Sequence, residues 1–204
     1  MQISRRLLLA VGTTILATGS ARAQGADPRL AERAIGAADA PVTVREFFSL
    51  TCPHCAAFHR ETMPQVRKDL IDTGRVRMIF HDFPLDQLAL TAAAVARSLP
   101  PERYEPFVAA LLASQDRWAY AGAKAAEELW KTAALVGMPR AAFDAAASDQ
   151  ALKTAILAAQ DRDARTYKIE STPSFVFNGP KAKNSVESGA KPYDDFARLV
   201  AAAA

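Results

Sequence analysis

Cys52 and Cys55 are the only cysteines among the 204 residues, and they stand in the tetrapeptide Cys52-Pro53-His54-Cys55. Two thiols so spaced can close a disulfide, exchange it with another, or supply half of a metal site. A bridge around two residues removes little chain entropy, so it is a poor structural staple. Exchange needs a thiolate, and a free cysteine of pKa about 8.5 is only slightly ionised at neutral pH. A helix start supplies what favours the anion, because unpaired N–H groups and the helix dipole converge there on Cys52. Cys55, three residues on, shares that side of the helix but lies deeper, suited to resolve a mixed disulfide formed at Cys52. Pro53 fits the first turn, where its missing N–H would be unpaired in any case. His54 can steady the thiolate by charge when protonated, or by hydrogen bonding through its ring or backbone amide. About 30 mV corresponds to ~1.4 kcal/mol in a two-electron couple, so one such contact can move the redox poise.

His59 extends the pattern to Cys-x-x-Cys-x-x-x-His, and His81 could complete four metal ligands. Zinc sites more often show two paired ligand sets, and no metal is assigned here. Otherwise His59 is a helix residue packed beside Phe58 and Met63, and His81 ends a strand.

Several elements must position these groups. Val42 to Phe48 is a β-rich run suited to a buried central strand, reached through an irregular polar leader from Gln24 to Ala40. Ser49 to Thr51 lead into a helix from Cys52 to about Asp72, in which Cys55, Phe58, Met63, Val66 and Leu70 share a face. Pro64 removes a backbone donor facing Arg60 and bends it. A strand follows at Val76 to His81. From Asp86 to about Lys168 the pattern is Ala-rich and helical, punctuated by Pro100-Pro101, Gly122, Gly137 and Pro139. Strand pattern resumes at Ser174 to Phe177, turns through Asn178-Gly179, and allows a partner strand within Lys183 to Glu187. A last helix spans Pro192 to about Ala202.

The first 23 residues read as an export signal removed before Gln24: Arg5 and Arg6, an apolar run from Leu7 to Ala17, then Ala21-Arg22-Ala23. The run is shorter than the roughly 20 apolar residues that span a bilayer. Arg5-Arg6 before leucines suits a twin-arginine or a general route. The formal charge of +3 reflects 25 Lys and Arg against 22 Asp and Glu; without Arg5, Arg6 and Arg22 the two signs balance. That neutrality argues against nucleic acid as a partner. An oxidising compartment favours cysteine pairs that are staples, yet this pair is better explained by chemistry.

Ile35-Gly36, Asp39-Ala40-Pro41-Val42, Glu46-Phe47-Phe48-Ser49, Cys52-Pro53-His54-Cys55 and Thr172-Pro173 together resemble the DsbA-like family of periplasmic thiol oxidases. The resemblance covers nearly all of residues 24–204. It implies an α/β thioredoxin fold with an α-helical insertion, about residues 86–168, between the second and third strands. Cys52 would be the attacking cysteine, Cys55 its buried partner, and Pro173 a cis-proline that turns the Thr172 backbone toward substrate. Glu46 matches a buried acid that assists proton movement at the inner cysteine; its alternative is a carboxylate paired with Arg45 or Arg77. Thr172 stands where the best-known oxidases carry valine and the related isomerases threonine, which leaves the direction of exchange open.

By this resemblance the chain introduces disulfides into reduced, unfolded exported proteins. It would be reoxidised by a DsbB-like membrane partner, with the Cys52–Cys55 disulfide as its only redox group. The chain shows no dimerisation domain of the kind isomerases add, so a monomeric periplasmic oxidase is expected. The alternatives are a reductase or isomerase of the same fold, and, from a different class, a peptide-binding chaperone or metal carrier.

Overall fold

The structure, a computed structural model, describes residues 27–204. The export signal expected over residues 1–23 lies outside the described residues.

At the centre is β2 (Val42–Phe48), whose apolar side chains are buried on both faces, as expected of a strand covered on each side. It pairs in parallel with β3 (Val76–Asp82) and antiparallel with β4 (Ser174–Asn178). β1 (Arg33–Ile35) and β5 (Ser185–Ser188) complete a sheet of order β1-β3-β2-β4-β5. Period-two alternation sends Val44, Glu46 and Phe48 to one face of β2 and Arg45 and Phe47 to the other.

The first face carries α1 (Pro53–Glu61), α2 (Met63–Val66) and the final helix, α9 (Tyr193–Ala203). Phe58 of α1, Phe175 and Phe177 of β4 and Phe196 of α9 stack there with centroids 4.7–6.5 Å apart. Between β3 and β4 run α3 (Gln87–Arg97), α4 (Pro101–Ala113), α5 (Gln115–Trp118), α6 (Ala125–Leu135), α7 (Arg140–Ser148) and α8 (Gln150–Tyr167). Tyr104, Phe107, Val108, Leu111 and Leu112 of α4 join the core that includes Cys55, Phe58 and Phe80. On the opposite face Phe47 packs with Phe83, Ile169 and Val176, flanked by Tyr167 of α8.

The expected elements appear in the expected order, with two differences. The leader is not wholly irregular: Arg33–Ile35 pairs with Phe80, Ile79 and Met78 of β3. Three residues are too few to display a strand period, and the pairing is made by a distant part of the chain. With β1 counted, the helical insertion falls between the third and fourth strands, the second and third of those legible in the sequence. The helix expected from Cys52 to Asp72 is instead α1, α2 and a wider π-wound turn over Arg67–Ile71. Pro64 explains the break at Thr62, since it cannot donate to the Arg60 carbonyl. The face through Cys55, Phe58, Met63, Val66 and Leu70 is nonetheless buried throughout. The partner strand allowed within Lys183 to Glu187 is β5, and Gly179 at the start of the connection lies against α9, where a Cβ would be 2.4 Å from the Ala203 carbonyl oxygen.

Candidate active site

The carboxyl end of β2 delivers the chain through Ser49–Thr51 to the amino end of α1. The Cys52 N–H donates to the Ser49 carbonyl at 3.1 Å, and the Cys52 carbonyl accepts the first helical bond from Ala56 at 3.1 Å. Cys52 is therefore the N-cap of α1 and Pro53 its first residue. Pro53 and His54 are exposed, Cys52 is 5 % exposed and Cys55 is fully buried. Both thiols are free. The helix start leaves Cys52 slightly exposed and sets Cys55 deeper in the core, as the spacing implied.

Facing them is the Thr172-Pro173 peptide, which is cis. It places the Thr172 carbonyl 3.3 Å from Cys52 Sγ, so the thiol donates to an oxygen 120 residues away in the chain. Thr172 Oγ1 is buried and has no hydrogen-bond partner among the described residues.

The two thiols are treated oppositely. Cys52 is pushed down to about 5, chiefly because the Cys55 thiol hydrogen-bonds to its sulfur. Partial burial opposes this, while Thr172 and the Cys55 and His54 backbone amides favour the anion. Burial pushes the Cys55 thiol far above its ordinary range, reinforced by its bond to Cys52 and by the negative charges of Cys52 and Glu46. His54 thus reaches Cys52 through its backbone amide, one of the routes open in the sequence.

Glu46 is wholly buried and does not pair with Arg45 or Arg77. Arg45 bonds to the Tyr167 hydroxyl at 3.0 Å and Arg77 to Glu32 at 2.9 Å. Its partner is His59, whose Nε2 lies 2.9 and 3.1 Å from the two carboxylate oxygens. His59 is therefore more than a packing residue beside Phe58. Its helical spacing from Cys52 and Cys55, seven and four residues, puts it on their face, a signal available in the sequence once the helix is assumed. His81 lies on the other side of β2, with Nδ1 2.7 Å from Asp163 and its ring 4.6 Å from that of Phe47. The sheet thus separates His81 from Cys52, Cys55 and His59. No group of three or more metal-binding side chains occurs among the described residues.

Gln115 carried no signal in the sequence. From α5, inside the insertion, its side-chain amide donates to the Leu50 carbonyl at 2.8 Å and the Cys52 carbonyl at 3.0 Å. A buried glutamine thus ties the helical insertion to the turn that presents the thiolate.

A thioredoxin family model matches residues 29–200. A Rickettsia prowazekii (strain Madrid E) protein bearing a protein-disulfide oxidoreductase name is 32 % identical over 155 residues, covering 75 % of this chain and 57 % of that protein. The chain thus spans a little over half the length of such curated relatives. Disulfide bond formation protein D of Bacillus subtilis (strain 168) is 26 % identical over 184 residues, or 81 % of this chain and 74 % of that one. Among solved structures, alpha-DsbA1 of Wolbachia pipientis superposes with a TM-score of 0.78 at 28 % identity, covering 85 % of this chain and 91 % of its own.

Proposed function

The chain belongs to the thioredoxin family, and from that premise we propose that it is a thiol:disulfide oxidoreductase that donates its Cys52–Cys55 disulfide to reduced, unfolded exported proteins. The observation that carries this reading is the opposed treatment of the two thiols. A stabilised Cys52 thiolate lowers the free energy of the reduced pair, so the disulfide is more readily given away. The depressed Cys52 thiol has that sense, and the raised, buried Cys55 leaves Cys52 as the thiol that carries the charge.

In this reading a substrate thiolate attacks Cys52 Sγ, the less buried sulfur, and the Cys52–Cys55 bond breaks. Cys55 takes a proton as it leaves. A second substrate thiolate then attacks the substrate sulfur of the mixed disulfide, and Cys52 departs as its stabilised thiolate. The substrate loses two electrons and the chain gains two. The Thr172-Pro173 backbone flanks the path by which an extended peptide would approach Cys52. Pro53 and His54 tune the site from the first turn of α1. The disulfide is the only redox group required, and a DsbB-like membrane oxidase restores it. The working form is a periplasmic monomer, delivered there by the signal over residues 1–23.

Equilibration with glutathione tests the direction. The expected potential is well above that of thioredoxin, about −270 mV. A value at or below it overturns the oxidase reading in favour of a reductase, the direction that Thr172 left open. Protein stripped of metal should oxidise a reduced model peptide at an unchanged rate; activity that needs added metal would overturn the enzyme reading in favour of a metal carrier.

A further inference from the structure

Cys55 must change protonation in each turn of the cycle, yet it is fully buried, and Cys52, whose sulfur is hydrogen-bonded to it, is itself only 5 % exposed. Glu46, on the β2 face that His59 of α1 meets, is the acid whose charge acts on the Cys55 sulfur. Glu46 is itself fully buried, and its neighbours in register on β3 and β4 are Phe80 and Phe175. Its hydrogen bonds come from His59 alone among the described side chains. The His59 side chain is 3 % exposed, and the rings nearest it are Phe48, Phe58 and Phe80. Behind Phe80, on α4, lies Tyr104, whose hydroxyl is committed to Asp82, itself paired with Arg97 of α3. The titratable group facing the pair is thus Cys55 of α1, with Tyr104, Asp82 and Arg97 beyond an aromatic ring.

A carboxylate enclosed by phenylalanines is costly unless something hydrogen-bonds to it. From this enclosure we infer that His59 is a positioning residue for thiol exchange: it holds Glu46 as a carboxylate able to take the proton of Cys55. This rests on the oxidoreductase reading above. During reoxidation by a disulfide, the Cys52 thiolate first forms a mixed disulfide and releases one thiolate. The Cys55 S–H proton then passes to Glu46 while Cys55 Sγ attacks Cys52 Sγ. The Cys52–Cys55 bond forms, the mixed disulfide breaks, and the second thiolate leaves. The chain loses two electrons to the disulfide. In the reverse sense Glu46 returns the proton to departing Cys55. Without His59, the buried Glu46 carboxylate would lose its only side-chain hydrogen-bond donor among the described residues.

The test follows the Cys52–glutathione intermediate by rapid quench and mass spectrometry when reduced protein meets glutathione disulfide, from pH 5 to 9. With His59→Phe the lifetime of the intermediate should lengthen at least about tenfold at neutral pH and recover at higher pH, as expected for loss of a proton acceptor. The Cys52 thiolate absorbance titration should stay in place, which a general loosening of the site would not allow. His59→Gln, which retains a donor for Glu46, should restore most of the rate and serves if the phenylalanine variant fails to fold. Glu46→Gln should slow the step as much as His59→Phe, with no further loss when the two are combined. A normal lifetime for His59→Phe, or, where that variant does not fold, a His59→Gln protein as slow as Glu46→Gln, would overturn the role of His59. A normal lifetime for Glu46→Gln would overturn the proton path itself. Failure of the unmodified protein to exchange with glutathione would instead remove the oxidoreductase reading on which both depend.

Discussion

At Cys52 a helix start, a neighbouring thiol and a threonine from a remote loop all favour one charge state, whereas three residues on at Cys55 burial favours the other. The difference predicts selective chemistry. Iodoacetamide should modify Cys52 of the reduced protein with a rate that is half-maximal near pH 5, while Cys55 stays unmodified until the protein unfolds; peptide mass spectrometry across a pH series reads both. Equal labelling of the two thiols would contradict the geometry. Cys52, Cys55, Pro53 and His54 were legible as a site because their chemistry depends on spacing along one helix turn. Glu46 was legible only as a candidate, since its strand position says that it is near the site but not which side chain meets it. His59 is the partner because α1 crosses the β2 face that Glu46 occupies, and helix crossing is not written in local pattern.

Among the elements, α5 is the piece whose role the pattern hid. It is four residues long and lies in an Ala-rich stretch, yet it carries the amide that bridges Leu50 and Cys52. Gln115→Leu should leave the Leu50 carbonyl without that donor. The expected loss is about 1–3 kcal/mol of stability, the cost of unsatisfied buried polar groups, measured by urea unfolding of the oxidised protein. Gln115→Glu should cost more, because a carboxylate would face two carbonyl oxygens. A change below about 0.5 kcal/mol for both would mean that the tie is dispensable. The insertion is also fastened through Arg97 of α3, which pairs with Asp82 at the end of β3 and bonds to the Ala31 carbonyl at 2.8 Å, just before β1. One arginine thus joins leader, sheet and insertion.

For the whole molecule, the two thiols link stability to pH in opposite senses. Cys52 titrates near 5 in the folded reduced protein and near about 8.5 when unfolded, so its contribution is complete above the unfolded value and is lost as pH falls toward 5. Cys55, raised in the fold, contributes in the other sense: its stabilisation is present below about 8.5 and declines above it, as the unfolded thiol ionises. The reduced protein should therefore gain stability relative to the oxidised protein from pH 5 to about 8.5 and lose it beyond. Paired thermal melts of the two forms across that range check this. A flat difference would show that the thiolate is not stabilised by the fold.

The sequence by itself determined the thiol pair, the helix that presents it, the central strand, the run of inserted helices and the late strand that follows Thr172-Pro173. These follow from local spacing and periodicity, which act within a few turns of chain. Only the tertiary structure decided which groups share the site. The Thr172 carbonyl reaches Cys52 across 120 residues, Gln115 reaches it from 63 residues on, and Glu46 meets His59 instead of Arg45 or Arg77. Such pairings depend on how the faces of β2, α1 and α5 pack, and packing is a property of the closed core rather than of any segment.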